Sequence, residues 1–266
     1  QEFNEINTDF ISPRRSVIED EISDLEVDVL SLLTKEDVMV TLSKDGYLKK
    51  VSLRSYGSSQ KDVIGLKDDD KPIFAAEAES TDYLVFISNL GRYGMMLVHN
   101  IEEARWRDVG SHLNQYVKFE PTEEIVSAFI IKDFDTYRDI VTTSRLGMIK
   151  KTAVIDLEVK RYNRMYDIMN LSKDDRLVGA HISKQDDDIL IVTHMGNVIR
   201  LELNDITQIG VRAKGVIAIK LKKHDYVVSS AILSDESDVV FISEKSQFKR
   251  MKQDEILVNN RATQGS

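Results

Sequence analysis

Short runs of β-forming side chains, each ended by a hydroxyl residue, punctuate the chain five times. The runs are Val40-Thr41-Leu42, Val85-Phe86-Ile87, Val141-Thr142-Thr143, Leu190-Ile191-Val192 and Val240-Phe241-Ile242. Each leads into a Ser/Thr-x-x-Gly tetrad: Ser43 to Gly46, Ser88 to Gly91, Ser144 to Gly147 and Thr193 to Gly196. The fifth, Ser243 to Ser246, has serine in place of the glycine. Two residues past each tetrad an apolar side chain returns, at Leu48, Tyr93, Ile149, Val198 and Phe248. This pattern predicts strand, tight turn, strand, with the glycine at positive φ and the hydroxyl satisfying a turn N–H.

The tetrads recur at intervals of 45, 56, 49 and 50 residues. Two further positions keep that frame. Nineteen residues past each turn stand Gly65, Gly110, Tyr166, Gly215 and Gly265. Beyond them an apolar residue, an acid and a strand-like residue follow in order: Leu66, Asp70, Ile73; Phe119, Glu123, Val126; Leu171, Asp175, Val178; Leu221, Asp225, Val228. A period of this length predicts a ring of similar β units, each burying its faces only against its neighbours. The expected fold is all-β, a propeller-like disc of five to six four-stranded blades. Residues 1–26 read as a lead-in, with Pro13-Arg14-Arg15 followed by a short helix that Ser16 caps and Glu19, Asp20 and Glu21 favour at its positive end. Residues 27–266 then form the β domain. Its last unit is expected to be cut short, because the apolar–acid–strand element due after Gly265 is missing.

Net charge is −9, which at first sight disfavours a polyanionic partner. Its distribution changes that picture. Residues 1–35 hold nine acids against Arg14, Arg15 and Lys35, whereas the rest of the chain has 33 bases and 36 acids. Residues 145–164 carry Arg145, Lys150, Lys151, Lys160, Arg161 and Arg164 against Asp156 and Glu158 alone. A local basic surface, not a basic average, is what phosphate binding requires. The apolar runs are strand-sized and too short to cross a membrane, no secretory signal is visible, and the absence of cysteine fits a reducing cytoplasm.

Four residues past the turn the side chain is Lys50, Met95, Lys151, Arg200 or Arg250, often beside a second cation at Lys49, Lys150 or Lys249. Recurrence at one register predicts a basic track on the rim of the disc, although strand-end lysines also serve simply to block edge pairing. The loops before the glycine landmark add Arg54 and Lys61, Arg105 and Arg107, Arg161 and Arg164, Arg212 and Lys214, and Arg261. Trp106 could stack on a base, but a single tryptophan is more often a core or edge residue. The five histidines lack metal spacing, and Asp68-Asp69-Asp70 reads better as a turn than as a metal cluster. No phosphate loop, nucleophile elbow or other catalytic constellation is present.

These landmarks carry a specific resemblance. The turn followed by Tyr47-Leu48-Lys49-Lys50-Val51-Ser52-Leu53-Arg54-Ser55-Tyr56 resembles the first blade of the C-terminal domain of the A subunits of bacterial type IIA topoisomerases. In gyrase that blade carries the box Gln-Arg-Arg-Gly-Gly-Lys-Gly. The matching stretch, Ser59 to Gly65, keeps only the final glycine, with Lys61 as its one cation, a degeneracy that resembles the topoisomerase IV branch. Arg212-Ala213-Lys214-Gly215-Val216 and Arg261-Ala262-Thr263-Gln264-Gly265 are better-kept copies. The resemblance implies a β-pinwheel, with strands exchanged between blades, that binds double-stranded DNA on a basic outer edge and bends it. It implies no catalytic residue, metal or cofactor in this chain. The tyrosine nucleophile, ATP and Mg belong to the holoenzyme, in which the B subunit of topoisomerase IV is the partner, in the bacterial cytoplasm at the nucleoid. The alternatives are gyrase-type wrapping, or a protein-interaction propeller, for which the acidic net charge speaks.

Overall fold

Among the described residues five β-hairpins recur, one at each tetrad. The structure, a computed structural model, describes residues 33–266 apart from 60–63, 137, 185 and 234–237. The hairpins are β1 (Asp37–Ser43) with β2 (Tyr47–Ser52), β4 (Tyr83–Ser88) with β5 (Arg92–Leu97), β8 (Asp139–Ser144) with β9 (Met148–Ala153), β12 (Asp188–Thr193) with β13 (Val198–Glu202), and β16 (Asp238–Ile242) with β17 (Phe248–Lys252). At each turn the N–H of the fourth tetrad residue donates to the carbonyl of the first at 3.0–3.1 Å. Gly46, Gly91, Gly147 and Gly196 take φ between +74° and +90°, and Ser246 takes +56°. The hydroxyls of Ser43, Ser144, Thr193 and Ser243 accept the N–H four residues on, at 2.9–3.2 Å.

The recurring acid holds the turn from outside. Asp70, Asp175 and Asp225 accept the N–H of the third tetrad residue, Asp45, Leu146 and Met195, at 2.9–3.0 Å. In the second repeat the longer Glu123 instead takes the Ser88 hydroxyl and pairs with Arg92. Burial pushes the Asp225 carboxyl up, but bonds from Thr193, the Met195 and Tyr226 N–H groups and Asn197 outweigh it and hold the group below its ordinary range. Asp68-Asp69-Asp70 is therefore a turn element, and no cluster of potential metal ligands occurs among the described residues.

Each of the first four hairpins gains a third strand from the segment that follows it: β3 (Pro72–Glu79) on β1, β7 (Ile125–Ile131) on β4, β11 (Leu177–Ser183) on β8 and β15 (Val227–Leu233) on β12. The fourth strand comes from the next repeat. Short strands β6 (Ser111–His112), β10 (Tyr166–Asp167) and β14 (Val216–Ile217) pair with β2, β5 and β9. Ser266 begins the same crossing by exchanging two backbone bonds with Val198, at 2.8 and 2.9 Å. The fold is thus all-β with exchanged strands. Among the described residues three blades have four strands, the fourth has three and the fifth is a hairpin alone.

The landmark glycines explain how the exchange fits. Gly110, Gly215 and Gly265 lie against the backbone of Leu48, Ile149 and Val198, the apolar residues two past the preceding turn. A Cβ on any of the three would stand 2.5 Å from that residue's carbonyl oxygen, and all three have φ between +69° and +89°. Tyr166, the exception, pairs directly with Tyr93 with ring centroids 5.6 Å apart.

Successive blades stack face to face. Leu42 and Leu48 pack with Leu84 and Phe86, Val85 and Tyr93 with Ile140 and Leu157, and Val141 and Ile149 with Ile191 and Ile199. Each inner blade therefore buries both faces. Strands β3, β7, β11 and β15 neighbour one another at the inner edge, where the Ser127 hydroxyl donates to the Ala180 carbonyl at 2.7 Å. The exchanged strands β6, β10 and β14 consequently lie at the outer edge. The outward face of the first blade is covered by α1 (Leu53–Gly57), capped by the Ser52 hydroxyl, and by Trp106, which packs on Met39, Val51 and Tyr56. Trp106 is a core residue. This β unit spans Thr34–Ser266, and the helix expected over residues 16–26 falls outside the described residues. No described helix is long and apolar enough to cross a membrane.

Candidate nucleic-acid interface

The cations nearest the turns do not form an exposed track. Inner blades bury both faces against their neighbours and the first blade's outward face is covered by α1 and Trp106, so the strands that carry Lys49 and Lys150 have no solvent side. Lys49 and Lys150 are 1% and 0% exposed. Lys49 Nζ donates to the Trp106 carbonyl at 2.6 Å and to that of Asp108, and Lys150 Nζ donates to the Ile168 carbonyl. Burial lowers both lysines to about 8, against a smaller upward pull from Asp108 on the first and Asp156 on the second.

The next position is an inter-blade latch. Lys50 Nζ reaches the carbonyl of His99 at 2.6 Å, buried Lys151 that of Leu203 at 2.7 Å, and Arg200 Nη1 those of Gln253 and Ile256 at 2.9 and 3.1 Å. These acceptors lie at equivalent 3-10 turns of the following repeat, Val98–Asn100, Leu203–Asp205 and Gln253–Glu255. Parallel backbone bridges from Lys50 to Glu103, Lys151 to Gln208 and Arg200 to Val258 mark the same register. Arg200 also pairs with Asp188 at 2.6 Å, and burial lowers the Lys50 ammonium below its usual range against Glu103 and Glu36. The expected rim of Lys49, Lys50, Lys150, Lys151 and Arg200 is therefore corrected: these side chains join blades, because a recurring cation can serve recurring carbonyls as well as phosphates. In the fifth repeat Arg250 pairs with Asp238 and both Arg250 and Lys249 are exposed.

The second set of cations lies elsewhere. Arg105, Arg107, Arg161, Arg164, Arg212, Lys214 and Arg261 are all exposed. Each sits within five residues before its landmark, on the loop that delivers the exchanged strand to the outer edge. The turns of the fourth and fifth copies are fixed by residues in the left-handed region, Arg212 at φ +67° and Ala262 at +58°. The Asp108 carboxylate accepts the Arg105 N–H at 3.0 Å, the Arg164 guanidinium lies 4.6 Å from the Tyr166 ring centroid, and Arg261 donates to the Ile217 carbonyl at 3.3 Å. Among the described residues no carboxylate lies within salt-bridge range of Arg105, Arg161, Arg164, Arg212, Lys214 or Arg261. Arg54 is exposed on α1, and Lys61 falls outside the described residues. Arg145, at a turn tip, stacks 4.0 Å from the Tyr226 ring, whose other partner is His194 at 4.7 Å and 9°. Sequence reading missed that stack, although Arg145 and His194 share the second tetrad position.

A family model described as DNA gyrase C-terminal domain, beta-propeller, matches residues 37–73, 82–132, 138–184, 187–234 and 237–266, one segment per repeat. The chain belongs to that family. It is 34% identical over 96% of its length to the A subunit of DNA topoisomerase 4 from Bacillus subtilis (strain 168), of which it covers 32%. The corresponding topoisomerase 4 protein of Staphylococcus aureus (strain MRSA252) is 32% identical over the whole chain, with 33% of that protein covered. The chain thus spans about a third of the length of these relatives. A crystal structure of the C-terminal domain of DNA topoisomerase IV superposes with a TM-score of 0.81 at 33% identity, covering 88% of this chain and 73% of that one. Within this family the topoisomerase resemblance and the pinwheel architecture read from the turns and landmarks both hold.

Proposed function

We propose that this chain is a non-catalytic DNA-binding and DNA-bending domain of a topoisomerase IV A subunit, which positions duplex segments for strand passage by the whole enzyme. One observation carries the reading: exposed cations recur within the five residues before the landmark on the outer-edge loops of the second to fifth repeats, while Lys49, Lys50, Lys150, Lys151 and Arg200 are taken up between blades. Support also comes from the relatives, which are topoisomerase 4 A subunits. A duplex laid along that edge meets two arginines from the second repeat, two from the third, Arg212 and Lys214 from the fourth and Arg261 from the fifth. Neutralising phosphates releases counterions, so log affinity falls with log salt at about 0.9 per phosphate engaged. Smooth bending of a short site costs on the order of 1–6 kcal/mol, which several such contacts around a curved edge offset. The cations are few and the chain is acidic overall, so binding is weak, sequence-tolerant and strongly salt-dependent.

Cofactors are not called for in this domain. ATP, Mg, the B subunit as partner and the cytoplasmic, nucleoid-associated setting go with the full-length enzyme. The test is a salt series of binding to a short duplex. Replacing Arg105, Arg161, Arg164, Arg212 and Lys214 by alanine should abolish binding, whereas Lys49→Met with Lys150→Met should lower stability and leave the salt slope unchanged. Absence of binding even at low ionic strength overturns the reading and leaves a protein-interaction propeller. Trapping of supercoils of one sign on relaxed circles would favour gyrase-type wrapping.

A further inference from the structure

The outer edge is not uniform. Between the second and third repeats it opens into a cleft of about 860 Å³. Its floor is Met96, 2% exposed, and its walls include the half-buried rings of Tyr116 and Tyr162. Asn100, Gln115 and Asn163 contribute exposed amides, and Arg161 and Arg164 stand at the lip; among the described residues no carboxylate lines it. The walls are held in place. The Tyr116 hydroxyl accepts the Glu102 N–H at 3.1 Å, the Tyr166 hydroxyl ties back to the Arg161 carbonyl at 2.9 Å, and Tyr162 packs on Tyr83. This junction also departs from the others at two positions. Gly94 stands where the first and third blades place a buried lysine, and Tyr166 replaces the landmark glycine.

An apolar floor, aromatic walls, exposed amides and two guanidinium groups are the chemistry that recognises a nucleotide whose base is unpaired. Arginines take the phosphate, rings stack on the base and amides meet its hydrogen-bonding edge. A base inside a duplex offers neither its faces nor its pairing edge, so the cleft selects single-stranded nucleotides. We infer that this cleft, at the outer edge of the second blade and lined by the second and third repeats, is a subsite for an unpaired nucleotide of DNA, beside the duplex track. The inference deepens the proposed DNA-binding function and rests on it for the source of the strand.

The experiment uses the 266-residue chain and three labelled probes at matched length and salt: oligothymidylate, the same sugar–phosphate chain without bases, and a blunt duplex. Oligothymidylate should bind roughly tenfold more tightly than the abasic chain for each base stacked. Asn100→Ala with Gln115→Ala, both exposed, should reduce that preference about threefold by removing hydrogen bonds to the base edge, while leaving duplex binding unchanged. Arg161→Ala with Arg164→Ala should weaken both single-stranded probes and lower the duplex salt slope by about 2. Equal affinity for the abasic chain and oligothymidylate overturns the subsite and leaves the duplex track standing. Oligothymidylate preference without duplex binding at any salt overturns the track and leaves the subsite.

Discussion

Glycine-to-alanine substitutions at three positions separate the two costs of the strand exchange. Gly210 has open space around its Cβ position and no left-handed φ, Gly196 has open space but φ +83°, and Gly215 has φ +85° with a Cβ position 2.5 Å from the Ile149 carbonyl oxygen and 3.1 Å from Lys150 Cβ. Alanine at Gly210 should be neutral within about 0.5 kcal/mol. At Gly196 only the left-handed conformation is penalised, about 1–2 kcal/mol. At Gly215 the obstacle is backbone, which cannot swing aside, so a further cost of about 1–3 kcal/mol for forced displacement is expected, and the total reaches about 2–5 kcal/mol. Against a whole-domain stability of about 5–15 kcal/mol, the last change is severe. Urea unfolding followed by circular dichroism reads all three, with the midpoint carrying the effect at constant m. If Gly215→Ala is no worse than Gly196→Ala, the crossing does not depend on close backbone approach, and the explanation of the landmark glycines fails.

Lys151→Met should destabilise by about 1–3 kcal/mol by leaving the buried Leu203 carbonyl without its donor, whereas Arg250→Met, at an exposed ion pair, should cost under about 1 kcal/mol in the same urea assay. Stability should rise between pH 8 and 10. Lys49 and Lys150, at about 8 in the fold against 10.5 when unfolded, shed protons there only in the folded state, worth up to about 1.4 kcal/mol per pH unit each, and Lys150→Met should roughly halve the slope. Above pH 10 Tyr93, pushed up to about 12 by burial, reverses the trend, because only the unfolded phenol ionises. Asp225→Asn should loosen the fourth turn by about 1–2 kcal/mol at neutral pH, and the gap to the parent should narrow in acid below the ordinary aspartate range, where the depressed carboxyl of the parent is itself protonated.

The turn was legible because its causes are local. A hydroxyl and a glycine each answer one backbone N–H or one φ close by, so Ser43 and Gly46 could be assigned from spacing, whereas the reach of Asp70 to the Asp45 N–H, 25 residues back, could not. The landmark glycines were visible as a period, but their reason was not, since Gly215 is required by Ile149 in the preceding repeat. Lys50, Lys151 and Arg200 show the limit more sharply. Period-two reasoning grants a strand one wet face, and stacked blades have none, so a recurrent cation was read as a rim when its acceptors were carbonyls some fifty residues away. The arginines of the exchange loops are exposed because irregular loops run on the surface. The cleft had no sequence signal, as Asn100 and Gln115 come from one repeat and Arg161 to Arg164 from the next.

Exchange of the outermost strand puts the genetic module and the physical blade out of phase. A deletion that removes one tidy sheet leaves its donor without an acceptor on one side and a raw edge on the other. Loss of one full sequence period instead rejoins compatible ends. Duplication and loss within such rings should therefore break at the hairpin entrance, near residues 37, 82, 138, 187 and 237, where the family segments themselves begin.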